Sequence, residues 1–171
     1  TPLQTIAVAG RSGPGVQVGD AWYPMAAGDA IQVLVLDGAT LQPILNESAF
    51  GADGGAEFAL VLVEEAATDA IVIAIQPADR PIFLSSQGAT AIGELFEDLG
   101  VELDASNDRF DGAGPASGWS VVGTPSGRVG RALVGVQQSA GTPAGALSGF
   151  LQSAAGSSTG AGSAASAYVF N

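Results

Sequence analysis

The chain of 171 residues lacks histidine, cysteine and lysine, and each absence excludes a class of chemistry. Without histidine and cysteine it has neither the ligands of a zinc finger or an iron–sulfur cluster nor the imidazole base and the thiolate of common hydrolytic enzymes. Without lysine it has no Walker lysine and cannot form a Schiff base. These absences favour a protein without catalytic activity, and no cofactor is expected.

Positive charge is also scarce. The chain has five arginines and 17 acidic residues, and its formal net charge is −12. Such a chain repels phosphate backbones, so nucleic-acid binding is not expected. Charged residues make up only 13% of the chain, against about 25% in an average protein, and a surface so poor in charge is suited to burial in an assembly. No apolar run reaches the length of a transmembrane helix.

The chain opens without the pattern of a signal peptide. It begins at Thr1, which is consistent with a processed terminus or with a trimmed boundary. A processed start favours an extracellular, surface or other exported or lumenal location.

Apolar residues make up 47% of the chain, enough for the core of one domain, which we expect over residues 1–140. Residues 141–171 are expected to form a tail, because only Ala, Gly, Ser and Thr occur from 153 to 167 and such segments are flexible. The apolar residues Tyr168, Val169 and Phe170 follow and are candidates for anchoring the tail to a partner. A frayed terminus is the commoner role of a chain end.

The first half of the chain has the pattern of β-strands separated by Gly, Pro and Asp. Strands are predicted for residues 5–9, 16–18, 21–24, 31–36 and 44–50. Gly19 and Asp20 form the turn of a hairpin between the second and third of these strands. Residues 31–36 are apolar almost throughout, which predicts a strand covered on both faces.

After residue 50 the spacing of apolar residues changes to that of helices. The spacing of apolar residues predicts a helix over 55–66, with a strand as the competing interpretation because more than one face is apolar. Residues 70–75 predict a buried strand. A second helix begins with Ser86 as its cap and ends at Gly100, and its apolar face consists of Ile92, Leu95, Phe96 and Leu99. Shorter strands are predicted for residues 119–123 and 133–136. The fold class is therefore α+β or α/β.

Several segments follow one another in a distinctive order: residues 6–8, Gly28 followed by 31–37, 46–50, 70–75, 92–100, and 119–123 with Gly127 behind them. This order, over about residues 4–136, resembles the interleukin-like EMT inducer (ILEI) or GG domain family. The resemblance implies a β-sandwich with two helices packed on it and no catalysis by the domain itself. It also implies a secreted or surface module, as in the cytokine-like members and in the sugar-binding stem of an O-mannose N-acetylglucosaminyltransferase.

The chain departs from that family in two places. It has none of the disulfide cysteines of the cytokine-like members. Ser117 and Gly118 stand where the family often has an Arg-Asp pair just before the tryptophan, and Arg109 and Asp111 lie upstream. Together with Asp79, these two residues are the candidates for sugar contacts.

An acidic segment precedes that tryptophan. Asp104, Asp108 and Asp111 are candidate ligands for Ca²⁺, which prefers oxygen donors. Arg109 occupies the position at which an EF-hand loop needs glycine, and a solvated acidic loop is the commoner structure.

Three aromatic residues are candidates for a stacking surface toward a sugar or a protein partner: Trp22, Tyr23 and Trp119. For Trp119, which lies on a predicted strand, packing in the core is the favoured role.

The sequence therefore predicts a non-catalytic structural or protein-binding subunit of a larger surface, virion or organelle-lumen assembly. The alternative is a carbohydrate-binding module of a secreted or surface protein.

Overall fold

The computed structural model describes residues 2–6, 14–77, 80, 82–101, 119–125, 130–134 and 147–150. Within these ranges the chain forms nine strands and two helices. Their order is β1 (Pro2–Ile6), β2 (Gly15–Val18), β3 (Ala21–Pro24), β4 (Ile31–Leu36), β5 (Pro43–Ala49), α1 (Asp53–Glu64), β6 (Ile71–Gln76), α2 (Ser86–Asp98), β7 (Trp119–Gly123), β8 (Gly130–Val134) and β9 (Leu147–Phe150).

The strands form two antiparallel sheets. The larger has the order β5-β4-β6-β7-β8 and the smaller the order β3-β2-β1-β9. Every pairing among the described strands is antiparallel. The fold class is therefore α+β, since the α/β alternative requires parallel strands joined by helical crossovers.

The central strands β4 and β6 of the larger sheet are buried on both faces, as the sequence predicts. The odd-numbered residues of β4 pack with the buried faces of both helices. On the other face, Leu34 and Leu36 pack with Val16 and Val18 of β2. The side chains of a strand alternate between its two faces. β4 and β6 are therefore apolar almost throughout because both faces of the larger sheet are covered there.

Helix α1 lies two residues N-terminal to the predicted span of 55–66, and the competing interpretation as a strand is wrong. Its buried residues recur every three or four positions, which places them on one face of a helix. These residues are Gly55, Ala56, Ala59, Leu60 and Val63. They cover the larger sheet and contact α2.

Helix α2 also forms as predicted, except at its cap. The cap is Ser85 rather than Ser86, because Ser85 has extended backbone and its Oγ accepts the N–H of Gln87 at 3.2 Å. Gly100 follows the helix with a φ of 78°, the left-handed conformation that the sequence predicts for it.

Apart from β9, the remaining strands match predicted ones and differ only in their boundaries. The hairpin of β2 and β3 turns at Gly19, whose φ is 60°. β1, β5 and β8 overlap the predicted strands with ends shifted by one to three residues. β9 has no predicted counterpart; it pairs with β1 within the segment expected to be a tail.

Candidate interaction surface

Most of the site residues predicted from the sequence lie outside the described residues. This applies to the candidate sugar contacts, the candidate calcium ligands and the apolar end of the chain: Asp79, Asp104, Asp108, Arg109, Asp111, Tyr168, Val169 and Phe170. Their roles stay predictions. Among the residues that the structure does describe, no group of three or more acidic side chains is placed to hold a metal ion.

Trp22 and Tyr23 are described, and they point to opposite faces of the smaller sheet. Tyr23 packs against the cluster between the two sheets. Trp22 lies across Gly15 on the other face, where two of its ring atoms are 2.8 and 3.0 Å from the point at which a Cβ on Gly15 would lie. The two half-buried rings therefore do not form one continuous stacking surface.

Trp119 is fully buried and packs edge to face on Phe96 of α2, with ring centroids 5.1 Å apart and planes at 73°. This geometry is a favoured one for aromatic pairs. Its indole is therefore part of the core between α2 and the larger sheet, the role that the sequence analysis favours.

The exposed apolar residues of the described chain are concentrated around α1. Phe58 and Val61 are each 43% exposed, and they lie on the outer face of the helix together with Gly54. The ring of Phe50, 58% exposed, lies over Gly54, since its Cζ is 3.3 Å from where a Cβ would be. We call Phe50, Gly54, Phe58 and Val61 the apolar strip.

Local backbone contacts hold the strip in place. The carbonyl of Phe50 accepts the N–H of Ala52 at 3.0 Å, so the chain turns sharply from β5 into α1. Close by, the N–H of Phe83 donates to the carbonyl of Gly51 at 3.1 Å. The side chain of Phe83 is 64% exposed, and its backbone N–H thus joins the turn that follows Phe50.

Carboxylates lie on both sides of the apolar strip. Glu57 and Glu64 lie on the side of α1 nearer α2, where Glu57 accepts a hydrogen bond from the side-chain amide of Gln87. Glu65 lies at the C-terminal end of the strip. On the other side, Glu47 lies on the face of β5 that α1 covers, because it alternates with Leu45, which packs against the core under the helices. Neither helix contains a lysine or an arginine.

The first turns of both helices meet at the carboxylate of Asp53. Its Oδ1 accepts the N–H of Ser85 at 2.8 Å, and its Oδ2 accepts the Ser85 hydroxyl at 2.6 Å. Helix N-termini carry partial positive charge, so one carboxylate between two of them stabilises both. These hydrogen bonds, the side-chain bond from Ser85 first, lower the pKa of Asp53 below its ordinary value of 3.8.

The substitution Asp53→Asn is expected to lower the free energy of unfolding at neutral pH by an amount that shrinks in acid. The folded-state pKa lies below the unfolded-state value of 3.8, so the carboxylate contributes stability above that value and loses it as the pH falls through the folded-state pKa. The difference in free energy of unfolding between the native chain and the variant should be constant near neutral pH and shrink in acid. Urea denaturation over a pH series measures it.

Ser85→Ala is the matched variant for this prediction, because it keeps the carboxylate and removes its strongest donor. It is expected to lose part of the same acid dependence. A difference between native chain and Asp53→Asn that does not change with pH would contradict the prediction.

The apolar strip was missed as a site by the sequence analysis, although one signal pointed to it. The segment 55–66 is apolar on more than one face, and a helix that packs on one side leaves such residues exposed on the other. The contribution of Phe50 has no local sequence signal, because it depends on how β5 turns into α1.

Comparison of the sequence with protein-family models and with curated proteins gives no match. Among the helices in the described part of the chain, none is long and apolar enough to span a membrane.

Proposed function

We propose that the chain is a non-catalytic protein-binding subunit of a larger assembly and that it contacts a neighbouring protein through the apolar strip. The observation that carries the proposal is the exposure of Phe50, Phe58 and Val61 side by side on the outer face of α1. An amphipathic helix that packs on a sheet is expected to have a polar outer face. Here the outer face is apolar in its middle.

The size of the exposed surface supports the proposal. With about 200 Å² for a whole aromatic side chain, the strip and Phe83 expose on the order of 400 Å² of apolar surface. Patches of that size on soluble proteins are often interaction sites, whereas single exposed apolar residues need no explanation. Aromatic residues also dominate the binding energy of many interfaces.

We also propose that the two sheets form the β-sandwich of the ILEI or GG domain family. The contacts of Val16 and Val18 with Leu34 and Leu36 across the sheets support it, as does the packing of both helices on the other face of the larger sheet. In that arrangement the smaller sheet and the apolar strip lie on opposite sides of the domain.

The proposal is tested by native mass spectrometry of the full chain isolated gently from its source, as the native sequence and as the double variant Phe58→Ser, Val61→Ser. The variant is expected to lose co-migration with its complex, because removing two central apolar contacts weakens an interface by about 100-fold. The fold should be retained, since both side chains are nearly half exposed.

Ile44→Ser is the matched control. Ile44 is 61% exposed and lies at the register shift of β5 against β4, outside the apolar strip. Co-migration should survive this change. A complex that persists in the double variant, or one that is lost equally in the control, would contradict binding through the strip.

A further inference from the structure

Four glutamates lie on α1, directly after it and on β5, the strand that precedes it. They are Glu47 on β5, Glu57 and Glu64 on α1, and Glu65 at its end. The helices contribute no positive side chain. A ligand that buries the strip therefore brings its own groups close to several carboxylates.

We propose that the occupant of the apolar strip is a basic amphipathic helix of another protein, with apolar residues toward Phe58 and Val61 and with Lys or Arg toward the flanking carboxylates. This inference rests on the proposed function and adds the chemistry of the partner. An exposed row of apolar side chains at helical spacing fits the apolar face of a second helix. Complementary charge at the rim sets the partner's identity and speeds its association.

The charge distribution argues against other occupants. A second copy of the chain would bring the same carboxylates face to face, and like charges oppose each other across an interface. An anionic membrane surface is disfavoured for the same reason. Residues 151–171 contain no charged side chain, so the chain's own end leaves the four glutamates without partners.

The test uses the full chain and three synthetic peptides of one length: an amphipathic helix of leucine and lysine, the same helix with glutamate for lysine, and the same helix with serine for lysine. Binding is followed by fluorescence anisotropy at low and high salt, and the site is mapped from amide shifts in NMR spectra. The lysine peptide is expected to bind most tightly and to lose affinity as salt rises. The amide shifts should be confined to α1, the end of β5 and the segment around Phe83.

Two variants separate the roles of charge and apolar surface. Glu64→Gln, Glu65→Gln is expected to weaken binding of the lysine peptide about tenfold at low salt, since each exposed ion pair contributes modestly. The control with the same charge change is Asp20→Asn, Asp29→Asn, in turns between β2 and β4, and it should leave the affinity within about twofold. The strip variant Phe58→Ser, Val61→Ser should abolish binding of every peptide.

Several results would overturn the inference. One is equal binding of the lysine and glutamate peptides, and another is an effect of the control as large as that of the strip carboxylates. A third is tighter binding of the serine peptide after Tyr168→Ser, Val169→Ser, Phe170→Ser in the full chain, which would make the chain's own end the occupant. If the complex is lost in the double strip variant while the peptides show no preference for lysine, the inference fails and the proposed function stands. If the complex survives that variant, both fail.

Discussion

Replacing Phe96 with alanine is expected to lower the free energy of unfolding by about 4 kcal/mol. Phe96 is fully buried on α2 and contacts the ring of Trp119 edge to face at 5.1 Å. The change removes apolar area and leaves a cavity between α2 and β7, and both effects destabilise because the close-packed surroundings close only partly around the gap. Urea denaturation of the full chain measures the loss.

Phe83→Ala is the matched control, because it deletes the same side chain at a position that is 64% exposed. It should change the free energy of unfolding by no more than about 0.5 kcal/mol. Similar losses in the two variants would mean that Phe96 does not pack as described.

The second large effect is expected at Gly55 in the first turn of α1. A methyl group there would lie 1.8 Å from the carbonyl oxygen of Phe50, a backbone atom, so the helix and the end of β5 would have to move apart. Gly55→Ala is expected to lower the free energy of unfolding by about 3 kcal/mol, the upper part of the range for overpacking. Because Phe50 would move, the variant should also weaken the binding that we propose for the apolar strip.

Gly93→Ala makes the same exchange in α2, where nothing lies within 4 Å of the added methyl group. The greater helix propensity of alanine should raise the free energy of unfolding there by about 1 kcal/mol. The two variants therefore separate the effect of close packing from that of helix propensity. Changes of the same sign in the free energy of unfolding would show that Gly55 is not in tight contact with Phe50.

The elements of the fold could be predicted where a local pattern determines them. The continuous apolar run of β4 predicted burial on both faces, and the spacing of Ile92, Leu95, Phe96 and Leu99 predicted the buried face of α2. β9 was not predicted, because its four residues include a serine and a glycine and its strand character depends on pairing with β1. Long-range pairing has no short-range sequence signal.

Less of the candidate surface than of the fold could be predicted from the sequence. Trp22 and Tyr23 were selected as adjacent aromatics, but neighbours on a strand point to opposite faces, and only the structure shows which face each ring occupies. The apolar strip combines residues of α1 with Phe50, the residue after β5. Its assembly depends on the turn at Gly51 and Ala52, which no periodic pattern encodes.

The pairing of β1 with β9 determines how the smaller sheet responds to mechanical tension. Pro2 lies opposite Phe150, so the N-terminal end of β1 and the C-terminal end of β9 are at the same end of an antiparallel pair. A pulling force applied between these two ends loads the ladder one hydrogen bond at a time, from Pro2 toward Thr5. The two strands therefore peel apart at low force, while the central strands β4 and β6 of the larger sheet, paired elsewhere, stay intact. Tension between these two strand ends would therefore separate β1 from β9 before it disturbs the core.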